Sequence, residues 1–144
     1  MIGVDPGVRG GIAVLSHTGA VLLVEPFKPS MTERDLTSLL KSAAKLSRVC
    51  LMEKVGYIKG DGGKGAFTFG NINGLIRGVL LSEQVRIYSV YPMVWQAKMN
   101  CLTGGNKNVS KRRAQELFPD VKVTHSIADA LLIAEYGRQS PLFL

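Results

Sequence analysis

Three carboxylates stand in segments that are otherwise apolar. Asp5 falls inside MIGVDPGV, Glu53 ends RVCLME, and Asp129 lies within SIADALLIAEY. An ionised carboxylate is seldom buried without a partner, because leaving water costs more than packing returns. Each acid alone has an ordinary explanation. Asp5 before Pro6-Gly7 is turn chemistry; Glu53 has Lys54 and Arg48 nearby to pair with; Asp129 reads as an acid in the first turn of a helix. Together the three have a different one. Clustered carboxylates raise one another's pKa unless a divalent cation lies between them, and a hard ion such as Mg²⁺ takes oxygen ligands while retaining waters. On a basic chain, the shared site is the better reading.

The charge supports it. Eighteen Lys and Arg stand against eleven Asp and Glu, a formal net charge of +7. An excess of that size favours a polyanionic partner, most commonly nucleic acid. No apolar run approaches the roughly 18 residues of a membrane span, so no membrane partner is expected. Cys50 and Cys101 lack disulfide or zinc spacing, and the chain opens on a patterned strand rather than a secretory signal. A cytoplasmic protein is expected, with no small-molecule cofactor.

The elements that must position these acids follow from the hydrophobic pattern. Residues 1–25 read as three short strands with tight turns, an antiparallel meander. Leu36, Leu39, Leu40, Ala43 and Leu46 recur at helical spacing after Thr32, a natural N-cap. Residues 48–53 form a buried strand, 55–66 a glycine-rich loop, 67–82 a helix bearing Gly70, Gly74 and Gly78, and 85–92 a fifth strand. A short segment around Trp95 leads to a second glycine-rich basic loop at 100–108. Helices follow at Val109–Phe118 and Ile127–Tyr136. The expectation is a single α/β domain over 1–144, a five-stranded mixed sheet flanked by helices, in the order β-β-β-α-β-α-β-α-α. Asp5 is placed mid-strand. The first strand and the strand ending in Glu53 lie side by side, and the last helix brings Asp129 across their ends.

These same stretches resemble the RuvC-like Holliday junction resolvases of the RNase H-like superfamily, in particular the short phage-borne versions. IGVDPGVRGGIAVL is similar to the family's first strand with its catalytic aspartate, at Asp5. CLMEKV resembles the strand-end glutamate, at Glu53, and ADALLIAEYG the C-terminal helix, with its aspartate at Asp129. YPMVWQAKM and GGNKNVSKRRAQELFP resemble the lysine-bearing segment and place its basic positions at Lys98 and Lys107. One departure is plain. The family's fourth metal residue, an Asp or His one helical turn before the last aspartate, is here Ser126 at three residues or His125 at four. Either spacing shares a helix face. His125 is therefore a candidate ligand or proton carrier, or else a surface or capping residue, and an imidazole would bear on the choice between Mg²⁺ and Mn²⁺.

The resemblance implies an RNase H-like fold and a metal-dependent endonuclease that nicks four-way or branched DNA in recombination and repair. It implies two Mg²⁺ or Mn²⁺ ions per site on Asp5, Glu53, Asp129 and His125, with Lys98 and Lys107 beside the scissile phosphate. A phage-encoded member would work in the host cytoplasm. Lys111 and Arg112 open a helix and read as contacts to the DNA backbone; Arg113 reads as a solvated face. Tyr57, Lys59 and Lys64 lie on the first glycine-rich loop, where an aromatic among bases can stack on an unpaired nucleotide. Phe67 and Trp95 read as core. Since a four-way junction has two-fold symmetry, a homodimer is expected, with Phe69, Ile72, Leu75, Ile76, Val79 and Leu80 of the 67–82 helix as the candidate interface. Two other functions keep the same residues: an RNase H-like nuclease for RNA or flaps, and a catalytically weak protein that binds branched DNA. An actin-like phosphotransferase shares the DxG start, but the chain is too short for its second lobe.

Overall fold

A computed structural model describes residues 1–56 and 62–143. The described residues form five strands, β1 (Ile2–Asp5), β2 (Gly11–Leu15), β3 (Val21–Pro26), β4 (Val49–Glu53) and β5 (Arg86–Val90). Five α-helices join them: α1 (Glu33–Leu46), α2 (Gly63–Ser82), α3 (Pro92–Lys98), α4 (Lys107–Leu117) and α5 (His125–Gln139). A 3₁₀ turn follows at Pro141–Phe143. The sheet is open and mixed, in the order β3-β2-β1-β4-β5. β1, β2 and β3 pair antiparallel, as their short connections predict, while β1–β4 and β4–β5 are parallel. Pro26 ends β3, an edge strand, where its missing N–H breaks no ladder.

Each face of the sheet carries its own core. Successive side chains along a strand point to opposite faces. Ile2, Val4, Ile12, Val14, Cys50 and Met52 fill one side with Leu36 and Leu40 of α1 and Ile76 and Leu80 of α2. Ala13, Leu15 and Leu51 fill the other with Trp95, Ala114 and the apolar residues of α5. Thr32 caps α1 as expected, in a capping box: Asp35 N–H donates to Thr32 Oγ1 at 3.1 Å, and Thr32 N–H to Asp35 Oδ2 at 2.9 Å.

The approach of α5 depends on two glycines. A Cβ on Gly3 would stand 2.3 Å from the Ala130 carbonyl oxygen and 2.4 Å from Ala134 N. One on Gly11 would stand 2.6 Å from the Ser126 carbonyl oxygen. Helix backbone therefore lies directly on sheet backbone. Gly3→Ala is expected to cost at least about 2 kcal/mol, a fall of roughly 5 °C or more in the thermal midpoint followed by circular dichroism.

The structure revises several boundaries and faces. Asp5 ends β1 rather than sitting within it. α2 begins at Gly63, four residues earlier than the spacing predicts, and α3 is a helix in its own right, opened by Pro92 in its first turn. Phe67 is not core; it is 72% exposed. Ile76 and Leu80 are fully buried against α1, and Ile72, Leu75 and Val79 pack on the same cluster, so these residues do not form a free surface. The exposed face of α2 carries Phe67, Gly70, Gly74, Gly78 and Leu81 instead. None of the glycines on that stripe has a neighbour within 4 Å of an added Cβ.

Candidate active site

Strand parity places the first two acids. Asp5 shares the face of Gly3, and Glu53 shares the face of Leu51, which is the side covered by α5. Because Val4 pairs with Met52 in parallel register, the next residues, Asp5 and Glu53, emerge together at the same sheet end. Asp129 comes from the other direction. It sits one turn into α5, whose start His125 and Ser126 occupy, so it is not a first-turn acid. The ordinary explanations for Glu53 do not hold either. Lys54 lies over the Tyr91 ring, 4.7 Å from its centroid, and Arg48 donates to the Glu83 carbonyl. Among the described residues, none of the three acids has a salt-bridge partner.

Asp5 does cap its turn: the Gly7 N–H donates to Asp5 Oδ1 at 3.2 Å. The turn closes tightly, since a Cβ on Gly10 would stand 2.1 Å from the Asp5 carbonyl oxygen. Turn chemistry and burial therefore coexist in one residue. Glu53 is held elsewhere. Trp95 Nε1–H donates to Glu53 Oε2 at 2.8 Å, a partnership that an apolar neighbourhood does not advertise in sequence.

The electrostatics mark all three as one group. Burial raises the pKa of Asp5, with a further push from Asp129 against the pull of the Gly7 N–H and Lys107. Burial pushes Glu53 up to about 7, and Asp5 and Asp129 add to it, while Trp95 and Lys107 oppose. Burial also raises Asp129, offset by Ser110, Lys107 and His125. Asp129 Oδ1 is the only buried side-chain oxygen or nitrogen among the described residues with no hydrogen-bond partner. No three His, Cys, Asp or Glu side chains among those residues close around a single point.

The basic positions divide. Lys107 opens α4 beyond the Asn106 cap and acts on all three carboxylates. Gly104 and Gly105, at φ +54° and +91°, turn the loop that delivers it, a conformation glycine accepts readily. Lys98 is not brought to this place. It lines a cleft with Met99, Tyr136 and Gln139, roughly 10 Å further along the α5 axis than Asp129. His125 stands at the site's edge, its Nε2 2.9 Å from Asn108 Oδ1, a partner seventeen residues away that spacing could not reveal. Lys111 and Arg112 follow Lys107 on α4, whereas Arg113 is used internally, donating to the Met99 carbonyl at 2.9 Å and pairing with Glu116. Lys64 is exposed at the start of α2. Tyr57 and Lys59 lie outside the described residues.

Comparison with known proteins now adds the fold. The chain is similar to T. thermophilus RuvC in complex with Holliday junction substrate, with a TM-score of 0.68 and 17% identity over 95% of this chain and 92% of that one. It is similar also to a second T. thermophilus RuvC structure, with a TM-score of 0.65 and 17% identity over 95% and 93%. No protein-family model and no curated protein sequence matches the chain. The fold is thus RuvC-like, an RNase H-like mixed sheet with helices on both faces.

Proposed function

We propose that the protein is a metal-dependent endonuclease that resolves four-way and other branched DNA. The observation that carries this reading is the group of three carboxylates. They sit at one sheet end without ion-pair partners, each pushed toward its neutral form, and one has an orphaned buried oxygen. Such a group is unfavourable as an empty feature and suits a hard divalent cation, Mg²⁺ or Mn²⁺, with waters completing the ligand set. Asp5, Glu53 and Asp129 would hold it, and by the resemblance His125 or Ser126 would stand in for a fourth ligand. Bound there, divalent ions supply an activated water and neutralise the leaving oxygen of a phosphodiester.

The chain's own residues supply the rest. Lys107 offsets phosphate charge beside the acids. Lys111 and Arg112 extend the basic surface along α4, and Lys64 adds to it from α2, giving affinity and salt dependence without base reading. Phe67, exposed one turn after Lys64, is a stacking platform for an unpaired base. The testing experiment compares labelled four-way junction, flap, linear duplex and RNA–DNA hybrid with Mg²⁺ or Mn²⁺. Paired symmetric nicks confined to the junction are expected; preferential cleavage of the hybrid or flap would overturn the assignment.

A second reading has two observations in its favour. Ser126 replaces the fourth acid, and among the described residues no three ligand-type side chains converge. A protein of that kind would bind junctions without metal and nick none of these substrates.

Two nicks in a two-fold substrate call for two sites, and we place the homodimer contact on the Gly70–Gly74–Gly78 stripe of α2, flanked by Phe67 and Leu81. Gly74→Glu puts a charge on this stripe without disturbing the core. The variant is expected to be a folded monomer by light scattering; a dimer of undiminished affinity would remove the stripe from the interface.

A further inference from the structure

We infer that Trp95 is the positioning residue that fixes the Glu53 carboxylate for cation binding, an inference that rests on the metal-nuclease reading. Glu53 pairs with Val90 at the end of the sheet, and α3 starts two residues later. With Pro92 in its first turn, α3 packs on α5 and delivers the indole to the carboxylate. The ring is fully buried, in one cluster with Leu51, Val90, Met99, Cys101 and the apolar residues of α5. Its Nε1–H has a single acceptor, Glu53 Oε2 at 2.8 Å.

The choice of donor matters. A lysine or arginine in this place would fix Glu53 equally well but would neutralise it, competing with the cation for its charge. The indole N–H is a donor only and carries no charge. It selects one rotamer and occupies one oxygen, leaving the carboxylate anionic and Oε1 free. Groups of this kind, bonded to a ligand rather than to the ion, typically govern affinity or activity by 10–100-fold. Packing alone does not require the N–H to meet an acceptor at this position: an apolar ring of the same size would fill the same space.

This is the chain's only tryptophan, so one site can be altered and read without background. Mn²⁺ affinity is measured from the electron paramagnetic resonance of the free ion, for wild type, Trp95→Phe, and protein in which Trp95 is replaced by β-(benzothiophen-3-yl)alanine. That analogue keeps the shape of indole and has sulfur where the N–H was, so it removes the donor without opening a cavity. In parallel the single indole ¹⁵N–¹H resonance of wild type is followed as Mg²⁺ is added. We expect Mn²⁺ binding about tenfold or more weaker in the analogue-bearing protein, and a wild-type indole resonance that moves with Mg²⁺. Unchanged Mn²⁺ affinity in the analogue-bearing protein, with wild type binding normally, overturns the positioning role and leaves the nuclease reading standing. Wild-type protein that binds neither ion overturns the nuclease reading, and the inference with it.

Discussion

If the protein is the proposed nuclease, Asp5→Asn will bind a four-way junction as tightly as the parent protein and nick it about a thousandfold more slowly, a loss of about 4 kcal/mol of barrier lowering. The substitution is selective for physical reasons. An asparagine side chain keeps an oxygen for the Gly7 N–H, so the turn after β1 survives. The surrounding space is unchanged, and Gly10 still closes over the same backbone. What disappears is the charge, and with it the central oxygen donor at the sheet end. In the proposed reading binding rests on Lys107, Lys111 and Arg112, which the substitution leaves alone. Filter binding at two salt concentrations and a denaturing-gel nicking assay separate the two effects. Full nicking by Asp5→Asn would remove the carboxylate group from the chemistry altogether.

The second large effect is on stability and has a definite sign. Asp5, Glu53 and Asp129 all have pKa values raised by burial, Glu53 from the ordinary 4.5 to about 7. In the window between those values the folded protein keeps a proton that the unfolded chain has released. Stability therefore falls as pH rises through it. Below 4.5 both states are protonated and Glu53 costs nothing; above about 7 its full penalty, on the order of 3 kcal/mol, is present. Glu53→Gln removes that penalty while keeping an acceptor for Trp95. At pH 8, without divalent ions, its melting temperature is expected to exceed that of wild type by roughly 5–10 °C; at pH 4 the two should coincide. Mg²⁺ should raise the wild-type value at pH 8 and leave Glu53→Gln nearly unmoved. A wild-type protein whose metal-free stability is flat from pH 4.5 to 8 would contradict the electrostatic account of the site.

The three acids were legible because each interrupts an apolar run, and parity then carries Asp5 and Glu53 to one face. The meander, the buried central strand and the last helix were legible from the same periodicity. Other features depend on relations that a linear pattern does not hold. The spacing starts α2 four residues late and makes Phe67 its first core residue, whereas the helix opens at Gly63 and its first turns are largely exposed. The six apolar residues of α2 look surplus in sequence because α1, the helix that absorbs most of them, is distant along the chain. The resemblance alone puts Lys98 beside the phosphate; the direction of a seven-residue helix is set by what its ends dock on, which a motif does not encode. Trp95 gave no sign of its task, since a tryptophan among apolar neighbours looks the same whether or not its N–H is used. Pro92, in the first turn of α3, is the one available signal that a helix begins there.

The seating of α5 on Gly3 and Gly11 has a consequence for the protein as it is made. Strands β1 to β3 can pair as soon as they leave the ribosome, because their contacts are local and loop closure is cheap. Asp129 arrives more than a hundred residues later, on a helix that docks only when its backbone can lie against those glycines. Until then a nascent chain holds two of its three acids and exposes the face of Ala13 and Leu51. Partial translation products thus hold an incomplete carboxylate group, and their uncovered sheet is a surface for chaperones or proteases. On the proposed nuclease reading, the carboxylate group is complete only once α5 has docked.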